Sequence, residues 1–131
     1  MIWDFEYQMR KTTTARRPDL ILEDNKEKKI FIIDMACPNE SNIAKKRREK
    51  LDKYQQLAFE IREKRNDYLV EILPIVIGCM GGGMKEVEVQ VRKIITDKQT
   101  SVRICTHMQK VVLFQGESTI RKVLSGIVQG E

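Results

Sequence analysis

Two β-branched apolar runs separated by a short polar stretch constrain this chain more than any other feature. LIL at 20–22 and IFII at 30–33 flank DNKEKK at 24–29, and that pattern predicts a β-hairpin. Asp19 opens the first strand and Asp34 closes the second. Antiparallel pairing lays the start of one strand beside the end of the next, so the two carboxylates are expected to be neighbours. Like charges at close range repel. An all-oxygen pair of this kind suits Mg²⁺ or Mn²⁺, and repulsion predicts that neutralising either acid stabilises the metal-free fold. The alternative is two ordinary strand-end residues, one after a proline and one before a loop.

Beyond Pro38, residues 41–65 have helical periodicity, with Ile43, Leu51, Tyr54, Ala58 and Ile61 on one face. At about 100° per residue, Lys50 projects roughly 50° from the middle of that stripe, whereas Lys53 lies about 110° away. Lys50 is therefore aimed inward, toward the sheet that carries Asp34. A lysine on a buried face calls for a partner, and the acids would supply one; the alternative is a side chain that snorkels to solvent. Two acids, a divalent metal and an ammonium suit phosphodiester hydrolysis. The metal would lower the pKa of a bound water and polarise the phosphate, and the ammonium would stabilise charge building on the phosphoryl oxygens.

The same helix carries the basicity of the chain. Residues 41–65 hold nine Lys or Arg and four acids, an excess equal to the +5 of all 131 residues. A one-sided basic helix is a footprint for a polyanion such as nucleic acid; the alternative is a solvated face laced with i,i+4 ion pairs. The length and 41% hydrophobic content suit one small domain. Cys37, Cys79 and Cys105 are widely spaced and His107 is the only histidine, which excludes a zinc motif and points to reduced thiols in an intracellular setting. No apolar run is long enough to span a bilayer, and the N-terminus lacks a signal-peptide pattern. Asn39-Glu40-Ser41 matches a glycosylation sequon and is read as a cap for the basic helix.

At the N-terminus, Ile2, Asp4, Glu6 and Gln8 alternate with Trp3, Phe5, Tyr7 and Met9, which reads as the first strand of the sheet. Asp4 and Glu6 are either further acids near the metal or solvent-facing strand residues. LVEILPIVIG at 69–78 reads as the last strand, parallel to the strand before the helix, and Pro74 is expected to interrupt it unless it lies at an edge or bulge. GCMGGGMK fails as a phosphate loop, because Met84 and Lys85 stand where a lysine and a hydroxyl residue are required. Three apolar stripes follow: Val87, Val91, Ile94 and Ile95; Val102, Ile104, Cys105, Met108, Val111 and Val112; Ile120, Val123, Leu124 and Ile127. They read as helices that cover a sheet face or form a partner-binding hairpin.

Arg17-Pro18-Asp19, then fourteen residues, then Asp34 resembles the signature of PD-(D/E)xK nucleases. WDFEYQ, RRPDLIL, IIDMACPNESN, EKLDKY and ILPIVIGCMG in that order are similar to the restriction-like endonuclease domain at the C-terminal end of non-LTR retrotransposon polyproteins. Ala36 stands where the general superfamily pattern has lysine; in retrotransposon domains of this kind the following helix supplies it, as Lys50 would, with Lys53 a rival. The resemblance implies an α/β fold: a restriction-endonuclease-like mixed β-sheet flanked by helices over 1–80, with a helical C-terminal extension over 81–131. It implies Mg²⁺ or Mn²⁺ held by Asp19 and Asp34, transition-state stabilisation by Lys50 and support of that lysine by Tyr54. Arg16, Arg17, Lys45, Lys46 and Lys53 would hold DNA phosphates. Target DNA would be nicked to prime reverse transcription, with the element's reverse transcriptase region and RNA as further partners and a nuclear location. The rival readings are a truncated, inactive or partner-dependent nucleic-acid-binding remnant, and an α/β domain with no nucleic-acid role.

Overall fold

The structure, a computed structural model, describes residues 18–115. The expected strand at 2–9 with Asp4 and Glu6, the connection bearing Arg16 and Arg17, and the stripe from Ile120 to Ile127 lie outside the described residues. Within them the order is β1 (Leu20–Asp24), β2 (Lys29–Ala36), a 3₁₀ turn (Glu40–Asn42), α1 (Ile43–Lys53), α2 (Gln55–Lys64), β3 (Leu69–Val76), α3 (Met84–Ile94) and α4 (Lys98–Gln115). The architecture is α/β, with a three-stranded open mixed sheet in the order β1-β2-β3.

The hairpin pairs Leu20 with Ile33 and Asp24 with Lys29 in antiparallel register. Its turn closes on Asp24, whose Oδ1 accepts the amides of Lys26 and Glu27, each at 3.1 Å. Those two bonds satisfy a carboxylate that is buried. The turn ends on Lys28 with φ 59°, a left-handed backbone that an L-residue adopts at a cost.

Strands β2 and β3 run parallel. Leu69 N–H donates to Lys28 C=O and Ile77 N–H to Ala36 C=O, the same offset at both ends. β3 continues through Pro74; it is an edge strand among the described residues, the position expected to accommodate the proline, and parity explains how. Amides two apart point to the same edge of a strand. Residues 69 and 77 donate toward β2, so Pro74, of opposite parity, turns its missing N–H away from that ladder.

Contacts divide the described residues into two compact units, one of 18–34 with Glu49–Leu73 and one of Met35–Arg48 with 74–115. In the first, Ile21, Ile30, Ile32, Val70 and Ile72 from the sheet pack with Tyr54, Leu57, Ala58 and Ile61 from the helical segment. Alternation places Ile30, Ile32 and Asp34 on one face of β2, so the strand acid shares the face that carries this core. Arg65 pairs with the buried Glu23 of β1 through its two terminal guanidinium nitrogens, and Tyr68 donates to Asn25 Oδ1 at 2.6 Å.

The expected single helix over 41–65 is two helices. Tyr54 separates them with φ −103° and ψ 11°, outside helical values. Its amide reaches Lys50 C=O at a stretched 3.4 Å, whereas Ala58 N–H meets Tyr54 C=O at 2.9 Å. The side chain is buried in the core cluster, and backbone regularity yields locally where this ring is seated. Asn39 precedes the 3₁₀ turn without a side-chain capping bond; its Oδ1 instead lies 3.8 Å from Cys79 Sγ.

In the second unit, Gly83 precedes α3 with φ 85°, a conformation open to glycine. Val87, Gln90, Val91 and Ile94 of α3 are buried, as are Ser101, Cys105, Met108, Val111 and Val112 of α4. Val102, expected in the buried stripe, is 41% exposed, and Ser101 takes the inward position. Residues 101, 105, 108 and 112 fall within a narrow arc at helical pitch, whereas 102 lies about 90° from its centre.

Candidate functional site

The site is assembled from a strand, the residue preceding its neighbour and one turn of helix. Because Leu20 opposes Ile33, Asp19 falls opposite Asp34. The Asp19 backbone amide donates to Asp34 Oδ1 at 3.0 Å. From α1, Lys50 Nζ donates to Asp34 Oδ2 at 2.5 Å. The side chains of Lys50 and Asp34 are only 15% and 6% exposed, so the pair is largely removed from solvent, where a charged hydrogen bond is strong. Asp19 itself is exposed.

Lys50 and Lys53 part company here. Lys50 reaches the strand acid, while Lys53 Nζ lies 5.2 Å from the centre of the Tyr54 ring, within cation–π range. Tyr54 is fully buried and its amide bonds the Lys50 carbonyl; it anchors the helical turn from which Lys50 extends. Lys45 is exposed and Lys46 partly so, both early in α1. Arg16 and Arg17 lie outside the described residues.

Among the described residues no group of three or more His, Cys, Asp or Glu is gathered as a metal cage. The donor chemistry nevertheless fits Mg²⁺ or Mn²⁺, which need only one or two carboxylates when phosphate and water complete the shell. Each oxygen of Asp34 accepts one hydrogen bond, and a carboxylate oxygen has two lone pairs. Asp34 therefore retains acceptor capacity, and Asp19 lies opposite it in register.

Two features escaped sequence reading. The Asp19 amide as a partner of Asp34 has no side-chain signature; only the register of the hairpin reveals it. Arg47 of α1 has a buried Nε with no hydrogen-bond partner, and its place in a run of four basic residues gave no means of distinguishing it. Comparison with known proteins adds no family: no protein-family model, no curated protein and no solved structure matches the chain. Among the described residues, no helix is long and apolar enough to cross a membrane.

Proposed function

We propose that this chain is a metal-dependent DNA endonuclease domain of restriction-like type, derived from a non-LTR retrotransposon. The observation that carries the reading is the Lys50–Asp34 contact across sixteen residues of sequence. It joins an ammonium to one of two acids that the hairpin register sets opposite one another, an arrangement that supports phosphodiester hydrolysis.

Asp34 and Asp19 would hold the divalent ion, Mg²⁺ or Mn²⁺. That ion, when bound, supplies Lewis acidity to the phosphoryl oxygen and lowers the pKa of water. Lys50 sits beside the same carboxylate and is positioned to stabilise negative charge on the phosphoryl oxygens as water attacks phosphorus. Breakage of the P–O3′ bond leaves a 3′-hydroxyl that a polymerase extends. Tyr54 fixes the turn that presents Lys50, and Lys45, Lys46 and Lys53, with Arg16 and Arg17, would hold flanking phosphates without reading sequence.

Supercoiled plasmid incubated with the protein and Mg²⁺ or Mn²⁺ tests this. Nicking is expected, with losses of roughly 10²–10³-fold in Asp34→Ala and Lys50→Ala if each removes one transition-state contact. Thermal melts run in parallel separate loss of chemistry from loss of fold. Cutting retained in Lys50→Ala but lost in Asp34→Ala transfers the role to Lys53. A folded protein that does not cut supports a second reading, favoured by the mutual satisfaction of Asp34 and Lys50: a non-catalytic nucleic-acid-binding module in which this ion pair is purely structural.

A further inference from the structure

The outward face of α4 carries three cations, of which Arg103 also lies within electrostatic reach of Asp97. Lys98, Arg103 and Lys110, with Gln99, Val102, Thr106 and His107, line a groove of about 640 Å³, and all seven are exposed. They are the complement of the buried stripe Ser101, Cys105, Met108, Val111 and Val112. Helix α4 contains no acidic residue in eighteen, so the i,i+4 ion pairs of an ordinary solvated face are absent from it.

Helix electrostatics do not explain these cations either. Basic residues stabilise a helix at its C-terminal turn and oppose the dipole at the N-terminus. Here Lys98 is the first residue of α4, and the last turn carries no basic residue. Asp97, the residue before the helix, is engaged by the Thr100 amide and hydroxyl, at 2.8 and 2.5 Å, and is the acid that Arg103 influences. Along the axis Lys98 and Lys110 stand about 18 Å apart at 1.5 Å per residue, a span that covers several successive phosphates. Between them, Val102 and the His107 ring offer flat or apolar surface to sugars and bases.

We infer that the Lys98–Arg103–Lys110 face of α4 is a second nucleic-acid-binding surface, shaped for a single strand rather than for an acidic protein. The groove is open, so a flexible strand can lie along it, and cations that follow its backbone with a ring and an aliphatic side chain between them match single-strand recognition. The surface is independent of Asp34 and Lys50 and does not rest on the nuclease reading.

The probe is a fluorescein-labelled fifteen-residue oligothymidylate, titrated with full-length protein in EDTA at several KCl concentrations. Lys98→Gln/Arg103→Gln/Lys110→Gln is compared with a control of equal charge loss, Lys26→Gln/Lys85→Gln/Arg92→Gln, at exposed positions elsewhere. The α4 variant is expected to bind at least tenfold more weakly, with a log–log salt slope reduced by about 2 for three lost phosphate contacts. The control is expected to remain within about threefold of wild type. Circular dichroism establishes that α4 persists, and Lys98→Arg/Lys110→Arg should retain binding. Equal losses in the two triple variants, an unchanged slope, or equally tight binding of polyglutamate would overturn the proposal. Plasmid nicking by the same α4 variant distinguishes the two surfaces: failure of wild type to nick sinks the nuclease reading and leaves this one standing.

Discussion

Asp34 is the residue on which the chemistry turns, and its surroundings reverse one expectation. Repulsion between neighbouring acids predicts that neutralising either stabilises the metal-free protein. The structure instead pairs Asp34 with Lys50 at 2.5 Å, in a site where both side chains are largely buried. Asp34→Asn leaves an ammonium without its counter-ion, and a broken buried pair costs roughly 3–5 kcal/mol. Chemical denaturation without metal should therefore show Asp34→Asn destabilised and Asp19→Asn close to wild type; equal stability of both would mean that the ion pair contributes nothing. Cys105 gives a second residue-scale prediction. Burial, then the nearby Glu88 charge, pushes its thiol up from 9.0 to about 11. The neutral thiol is favoured in the folded state, so its contribution to stability is complete below pH 9 and declines as pH rises toward 11. At pH 8 a thiol reagent should label the exposed Cys79 rapidly and Cys105 only at the rate of unfolding. Fast labelling of Cys105 in native protein would contradict this burial.

Elements are held here by contacts that cross between them. Tyr54 divides α1 from α2 and is seated among Ile21, Ile32 and Leu57. Tyr54→Ala should cost about 3–5 kcal/mol as a large-to-small core change, and should loosen Lys50 as well, because the same turn carries both. The loop 78–82 is built around a carboxylate. A Cβ on Gly78 would collide with Glu40 Oε1 and approach Ile43 Cδ1, and Met80 N–H reaches Glu40 Oε1 at 3.4 Å. Gly78→Ala should destabilise the protein in the native background and less so after Glu40→Ala; equal losses in both backgrounds would place the clash elsewhere. Asp97 terminates the set at α4. The Thr100 hydroxyl and then its amide hold the Asp97 carboxyl below its usual value. Its stabilising effect is present above pH 3.8 and lost as pH falls through its lowered folded value, so Asp97→Ala should lower Tm at pH 7 and weaken the dependence of Tm on pH in acid. A parallel acid limb in the variant would show that the cap is not the titrating group.

Across the whole molecule, an excess of five positive charges and a pI near 9.2 favour polyanions as partners. Affinity for nucleic acid should fall steeply with salt, and a flat response would remove nucleic acid from the account. Much of the fold was legible because local chemistry dictates it: LIL and IFII around a polar turn form a hairpin whatever packs on them, and the stripe from Ile43 to Ile61 requires a buried helix face. The juxtaposition of Lys50 with Asp34 was legible too, since helical pitch alone aims that lysine inward. Continuity through Pro74 was not, because whether an amide is needed depends on which edge of the strand meets a neighbour. The break at Tyr54 and the outward turn of Val102 escaped for a related reason: periodicity gives an average face, and packing selects the residue that departs from it. The sequence by itself thus determined the elements, their amphipathic faces and the acids and lysine from which a site could be made. Only the tertiary structure decided that Asp34 is braced by the Asp19 backbone amide and how closely Lys50 meets it, because hydrogen-bond partners depend on strand register and side-chain approach, which no local rule encodes.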